Sequence, residues 1–322
     1  MVMERSETGR VLVVGSVNQD YVFETGRFAK PGETVLGESF RTSAGGKGAN
    51  QAVASSRLGA HVDFVGCVGI DHDGDILLER LQREQVGTSA VRRVEGYHTG
   101  VASVWVQSES GENAIVVAPG ANVAPAWMSQ VAPGPALAKL LDCNDIVLLQ
   151  LEIPLDAVVS VAQKAKERGR IVIVNPAPAQ TLPRELLEAT DILVPNQYET
   201  ELCGGLALLS AACIVVTTLG STGCSVTFPT TSLPVHIQAA PLKLDERVVD
   251  TSGAGDCFCG ALASFLAGQA NAFSIDPNDL VLAAARFANQ AAARSVVRRG
   301  AMDSMPRRHE VFSELPEGKS SV

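Results

Sequence analysis

The run Val249-Asp250-Thr251-Ser252-Gly253-Ala254-Gly255-Asp256-Cys257-Phe258 limits what this chain can fold into more than any other stretch. Val248 and Val249 read as the end of an extended apolar segment. Ser252-Gly253-Ala254-Gly255 can turn sharply, because glycine tolerates backbone angles that a Cβ forbids. From Cys257 to Ala267 the residues are small or apolar on every side, which predicts a buried helix. Strand, glycine turn and buried helix together direct unpaired N–H groups and the positive end of a helix dipole at one point, and such a point binds an anion. Asp256 stands there, where a bound phosphate would repel it. Either it caps the helix, or it takes a proton from a hydroxyl that attacks the phosphate. Two acids, Asp250 and Asp256, bracketing a Thr-Ser-Gly-Ala-Gly turn favour the second role.

The 322 residues suffice for one large domain or two ordinary ones. With 46% hydrophobic and 19% charged residues, a sizeable core is expected and disorder is not. A formal net charge of -9 disfavours nucleic acid and anionic membranes as partners, though local dipoles can still hold phosphates. The seven cysteines are odd in number and contain no CxxC, so they read as small core residues in a reducing compartment. Residues 1–10 lack the apolar core of a signal peptide, no apolar run reaches membrane-spanning length, and the C-terminus is not a peroxisomal address. A cytoplasmic protein is expected.

Val11-Leu12-Val13-Val14 predicts a buried strand ending at Gly15, without the glycines of a dinucleotide fingerprint. Asn18 and Asp20 follow its carboxyl end, where open α/β sheets bind ligands, and their groups suit neighbouring sugar hydroxyls. Residues 21–44 lack helical periodicity and predict hairpin strands. Ala44-Gly45-Gly46-Lys47-Gly48-Ala49-Asn50-Gln51 is not a Walker A loop, because Gly48 replaces the Ser or Thr after Lys; its glycines would let backbone approach a ligand. A helix should run from Ala49 to Leu58. Residues 99–106 and 113–118 alternate as a second hairpin. From residue 145 onward, strands at 145–150, 171–174, 192–194 and 214–218 alternate with helical stretches, which predicts a parallel sheet covered on both faces. Glu152 closes the first of these strands. Thr218-Leu219-Gly220-Ser221-Thr222-Gly223 closes the last and suits a nucleotide. A long helix is expected from Asp279 to Val297 and carries Asn289, which by itself reads as an exposed polar residue.

Gly45-Gly46-Lys47-Gly48-Ala49-Asn50 and the Asp250–Asp256 stretch resemble the two signatures of the ribokinase, or PfkB, family of sugar kinases, in the family's order and about 200 residues apart. The resemblance covers roughly residues 11 to 310. It implies a doubly wound, mainly parallel α/β sheet flanked by helices, formed by residues 11–20, 45–97 and 121–310. A small discontinuous β lid would come from 21–44 and 98–120. It implies ATP with Mg²⁺, a K⁺ activator, and a homodimer through the lid. Asp256 would be the catalytic base. Asn18, Asp20, Gly46, Lys47, Asn50, Glu152 and Asp256 would bind the sugar. Asn196, Thr218, Gly220, Gly223, Gly253, Ala254, Gly255 and Asn289 would line the ATP. Asn196 and Glu199 would help to place phosphates and Mg²⁺. Asp250, Ser252, Ser295, Arg298, Gly300 and Ser304 would hold the K⁺. Within the family the sugar contacts point to D-ribose phosphorylated at O5, with fructokinase, adenosine kinase or a catalytically silent regulator as the competing readings. One departure stands out. Only about 16 residues separate Asn196 from Cys213, near the lower limit for a crossover, so either a surface helix of the family is missing or a flexible piece of this connection is absent from the sequence, which leaves the local topology open.

Overall fold

The computed structural model describes residues 9–130, 134–229, 231, 233–269 and 276–312. Most of the N-terminal stretch read for a signal, and the C-terminal residues, lie outside that set. The chain begins β1 (Arg10–Val14), β2 (Asn18–Thr25), β3 (Ser39–Gly45), α1 (Lys47–Arg57), β4 (His61–Gly69), α2 (His72–Arg83), β5 (Val86–Val94), β6 (Gly100–Gln107) and β7 (Asn113–Ala118). It continues α3 (Ala126–Gln130), α4 (Pro135–Cys143), β8 (Ile146–Leu149), α5 (Leu155–Glu167), β9 (Ile171–Val174), α6 (Arg184–Ala189), β10 (Ile192–Leu193), α7 (Gln197–Leu202) and α8 (Leu206–Ser210). It closes with β11 (Ile214–Thr218), β12 (Cys224–Thr227), β13 (Val235–Ile237), α9 (Ala254–Gly268), α10 (Pro277–Ser295) and α11 (Arg308–Phe312).

Nine strands form one sheet in the order β13-β12-β11-β10-β9-β8-β1-β4-β5. All pairs from β11 through β5 are parallel, and β12 and β13 add antiparallel strands at one end. Alternate residues of β1 supply the two cores. Val11 and Val13 pack with α1, α9 and α10, while Leu12 and Val14 pack with α4, α5 and α6. The chain builds outward from β1 to β4 and β5, then returns to β8 on the other flank of β1. That reversal opens a crevice at the carboxyl ends of β1 and β8, the place where such sheets take ligands.

The second sheet has the order β3-β2-β6-β7. Its two hairpins are joined by parallel pairing of β2 with β6. The backbone stays extended after Val17, so β2 begins at Asn18 and β3 runs to Gly45, both inside segments expected in the α/β body. Every residue of β7 is exposed; by strand alternation Phe23, Phe40, Trp105 and Val116 lie on one face of this sheet, and Ile115 and Val117 on the face that carries Asp20.

Two expectations are corrected. No strand precedes the glycine turn. Val248 and Val249 are exposed in an irregular segment held by Val249 N and Asp250 N donating to Val296 O. The crossover between Asn196 and Cys213 is not stripped of its second helix. The short helices α7 and α8 fit into it, and β11 still pairs in parallel with β10. Among the described residues no helix is long and apolar enough to cross a membrane.

Candidate active site

The site forms because α1 and α9 cross in close contact. Gly260 makes this possible, since a Cβ there would lie 2.6 Å from Ala54 Cβ and 2.7 Å from Gln51 O. Ser55 Oγ donates to Gly260 O at 3.0 Å and fixes the crossing. One turn earlier on α9, Asp256 therefore meets the first turns of α1. Asn50 Nδ2 donates to Asp256 Oδ2 and Gln51 Nε2 donates to Asp256 Oδ1, each at 2.9 Å. Asp256 lies inside the first helical turn, where Gly253 is the N-cap with φ 75°, a left-handed angle that suits glycine. Its carboxylate thus faces α1 instead of capping its own helix. Ala254 N donates to Thr251 O and Cys257 N to Gly253 O. The N–H groups of Gly253, Gly255 and Asp256 have no acceptor among the described residues, so three donors at a helix N-terminus are left for an anion.

The glycines of the first motif are required by the chain itself. A Cβ at Gly45 would overlap the Asp20 carboxylate, and one at Gly48 would lie 2.6 Å from Ser16 N. Gly46 has φ 89° and a Cβ there would lie 2.7 Å from Val17 Cα. Glu152 Oε2 accepts from Lys47 N at 3.0 Å and Ser16 Oγ at 2.5 Å, so this carboxylate secures the start of α1 against the end of β1. Asn18 Oδ1 accepts from Asn122 Nδ2 at 2.7 Å, which turns its own amide donors away from Asn122; Asn122 also exchanges hydrogen bonds with the backbone of Val17.

Four acids and one ammonium share this pocket. Burial, then Glu152 and Asp256, raise Asp20 to about 7 against the pull of Arg41. Burial opposes the charge on Lys47, but Asp256, Glu152 and Glu199, with Cys259, outweigh it and raise its pKa. Glu199 is raised by burial and by Asp256, partly offset by the Asn196 N–H and Lys47. Cys257 is pushed up to about 12 and Cys259 upward, both by burial first, so these thiols are packing groups. Of the seven cysteines only Cys143 is exposed.

Asn196 and Glu199 form a capping box on α7: Glu199 N donates to Asn196 Oδ1 and Asn196 N to Glu199 Oε2, each at 2.8 Å. Asn196 bridges Thr218 at the end of β11. Gly220 has φ 59°, and a Cβ at Gly223 would lie 2.5 Å from Ala239 N. Asn289 is buried, not exposed, and its Nδ2 reaches Ile237 O and Gln238 O at 3.3 Å. Gly223 and Asn289 therefore meet at the 237–239 segment, which Thr218 adjoins through Cys224.

Asp250 Oδ1 accepts from Ser252 N and Oδ2 from Gly300 N, each at 2.8 Å. Burial alone would raise the Asp250 pKa, but these N–H donors, the Ser252 hydroxyl and Arg41 lower it. Asp250, Ser252 and Gly300 are thus brought together. Ser295 and Ser304 donate their hydroxyls to Ala292 O and Ala301 O, and the Arg298 side chain pairs with Glu310. Gln51 and Asn122 were not singled out by sequence. Gln51 stands beside Asn50 in the first motif, but its partner lies 205 positions away.

Residues 8–308 match the pfkB family carbohydrate kinases. The chain belongs to that family. The ribokinase of Haemophilus influenzae is 37% identical over 317 residues, spanning 94% of this chain and 97% of that protein. The Bacillus subtilis ribokinase is 39% identical over 310 residues, with the same coverages. Among solved structures, a Giardia lamblia ribokinase superposes with a TM-score of 0.84 at 32% identity, over 95% of this chain and 98% of that one. An Arabidopsis thaliana ribokinase complexed with ribose and ATP superposes with 0.80 at 33% identity and equal coverage. The mainly parallel sheet flanked by helices and the separate small sheet are those of this pfkB-family kinase fold.

Proposed function

We propose that the chain is a ribokinase that transfers the γ-phosphoryl group of ATP to O5 of D-ribose, giving D-ribose 5-phosphate and ADP. The observation that carries this reading is the Asp256 carboxylate, held on both oxygens by amides beside three unpaired N–H groups at the start of α9. Ribokinases as relatives, one solved with ribose and ATP, support the substrate pair.

In this scheme Asp256 accepts the O5 proton as that oxygen attacks the γ-phosphorus and ADP leaves. The free N–H groups of Gly253, Gly255 and Asp256 form the anion hole; those of Ser252 and Ala254, expected to join it, are taken by Asp250 Oδ1 and Thr251 O and shape the turn instead, and most of the acceleration comes from positioning and charge stabilisation. Asn18 and Lys47 donate to sugar hydroxyls while Asp20 and Glu152 accept from them, with Gly46 and Asn50 along the ring. The cluster of Asn196, Thr218, Gly220, Gly223 and Asn289 takes the nucleotide.

Mg²⁺ fits as a companion of ATP, because Glu199 uses only Oε2 in the capping box and lies near enough to Lys47 to interact with its charge. Bound to the phosphates, it would neutralise their charge, with Asn196 and Glu199 as its protein neighbours. A monovalent cation, K⁺, fits the oxygen-rich turn at Asp250 and Ser252, with Ser295, Arg298, Gly300 and Ser304 closing it. There it would order the anion hole. A homodimer through the lid fits the exposed apolar residues of β6 and β7, and a cytoplasmic setting fits the buried reduced thiols. The division into an α/β body (11–20, 45–97, 121–310) and a lid (21–44, 98–120) belongs to the same reading.

An ATP-consumption screen over ribose, deoxyribose, fructose and adenosine tests it. Ribose should give the highest kcat/KM. Loss of one hydroxyl from deoxyribose should cost on the order of 1–3 kcal/mol, because a buried acceptor is left unpaired. A higher kcat/KM for fructose or adenosine rejects the ribose assignment and leaves the family.

A further inference from the structure

Gln51 on α1 is fully buried. Its Nε2 donates to Asp256 Oδ1 at 2.9 Å and to Asn175 Oδ1 at 3.1 Å. Its Oε1 accepts from Gln150 Nε2 at 2.6 Å. A side-chain amide is a donor at one end and an acceptor at the other, so its contacts decide which end faces the base. Asn175 Nδ2 donates to Val194 O at 2.8 Å, which leaves Asn175 Oδ1 turned toward Gln51. Gln150 is itself buried, in the space a Cβ at Gly15 would fill, and presents its donor end. Asn175 therefore requires the Gln51 NH₂ group to point toward Asp256, and Gln150, whose own Oε1 has no partner, meets the other end of the amide.

We propose that Gln51, oriented by Asn175 and packed against Gln150, is a positioning residue for phosphoryl transfer: it fixes the Asp256 carboxylate in place, with a lone pair left for the sugar hydroxyl. The proposal rests on the reading of Asp256 as the base. Its amide and that of Asn50 take one lone pair on each carboxylate oxygen. They also oppose the acids that face the same pocket. Asp20 approaches from β2 and Glu199 from α7, Glu152 stands behind Lys47, Cys257 and Cys259 lie on α9, and Lys47 is the favourable charge.

The test compares Gln51→Glu, Gln51→Met and Asp256→Asn in the full-length chain. kcat and KM for ribose and ATP are measured across the acid and neutral pH range, with thermal unfolding in parallel. Gln51→Glu keeps the shape but sets a second carboxylate against Asp256. It should lower kcat roughly 10²-fold near neutral pH and leave KM for ATP within about twofold. It should also move the acid limb of kcat/KM upward by on the order of one pH unit, so that activity recovers as pH rises. Gln51→Met, which removes the donor without adding charge, should fall between it and the wild type. A merely structural role would lower the melting temperature and leave the acid limb in place, and that result overturns the proposal. So does Gln51→Glu with near-normal kcat while Asp256→Asn is impaired by roughly 10²–10⁴-fold, in which case the base stands without its support. Near-normal turnover by Asp256→Asn rejects the base and this proposal with it. If Gln51→Glu does not fold, Gln150→Met, which frees the Gln51 amide to turn, is read by the same two criteria.

Discussion

Gly260→Ala places a methyl group in the tightest contact of the site. The new Cβ would lie 2.6 Å from Ala54 Cβ, 2.7 Å from Gln51 O and 3.0 Å from Ser55 N. Carbon atoms rest at about 3.5–4.0 Å, so α1 and α9 must separate by on the order of 1 Å. None of the three contacts is the end of a flexible side chain. Overpacking of this kind costs about 1–3 kcal/mol, which for a chain of this size is a fall of roughly 1.5–4.5 °C in melting temperature. Asp256 lies one turn away, so the separation also lengthens its 2.9 Å bonds to Asn50 and Gln51. A misplacement of about 1 Å at a reacting group can cost on the order of 10²-fold in rate. Thermal unfolding followed by circular dichroism, together with kcat for ribose, reads both effects. Gly268→Ala is the control: it is on the same helix, a Cβ there meets nothing within 4 Å, and it should be neutral or slightly stabilising. If Gly260→Ala melts within about a degree of the wild type and keeps kcat within about twofold, the close crossing does not set the geometry of the base.

Three further outcomes follow from the same geometry. Because the native state raises Asp20 from 3.8 to about 7, it favours the protonated form; this contribution is fully present below the unfolded value and is lost as pH rises through about 7. The full displacement corresponds to as much as about 4 kcal/mol, so Asp20→Asn without sugar should be more stable to urea than the wild type near pH 8 and lose that advantage near pH 4; no difference between the two pH values refutes it. Replacing K⁺ by Na⁺ or Tris should lower kcat, and equal activity in all three rejects a cation at the Asp250 turn. Light scattering should give about twice 33.7 kDa, and a monomer at micromolar concentration rejects the lid dimer.

The parts of the molecule written in local pattern were legible in the sequence. The all-round apolar character of residues 257–267 marked α9 as buried, and the glycine turn before it marked an anion site. The return of the chain from β5 to β8 was legible only as alternating strands and helices, but it fixes the crevice where Asn18, Asp20 and Glu152 meet. What stayed hidden depends on residues distant in sequence. Gln51 and Asn122 reveal themselves only through partners more than a hundred positions away. Asn289 reads as exposed because helical periodicity does not show that the 237–238 backbone covers it. The glycines at 45, 48 and 223 read as room for a ligand. Each is instead demanded by a neighbouring part of the chain, a carboxylate or a backbone segment that only the folded arrangement brings near.

The acids in this pocket pose an electrostatic question, because the reaction proposed for it delivers a phosphate of the same sign. The chain's answer is to separate the charges by function and partner. Asp256 is held by two amides, Glu152 by a helix N–H and a hydroxyl, and Glu199 by its own helix cap. Asp20 lies against Gly45 with Arg41 as its favourable charge, and burial raises it to about 7. An acceptor left in that state gains most from hydroxyl donors. Sugar hydroxyls facing Asp20 would favour its ionised form, so that binding of a polyol and recovery of charge become one event. The positive end of α9 then remains free to meet the phosphate. A ligand without paired hydroxyls would leave Asp20 protonated or unpaired, and this gives the site a preference for sugars that follows from the fold and not from any single contact.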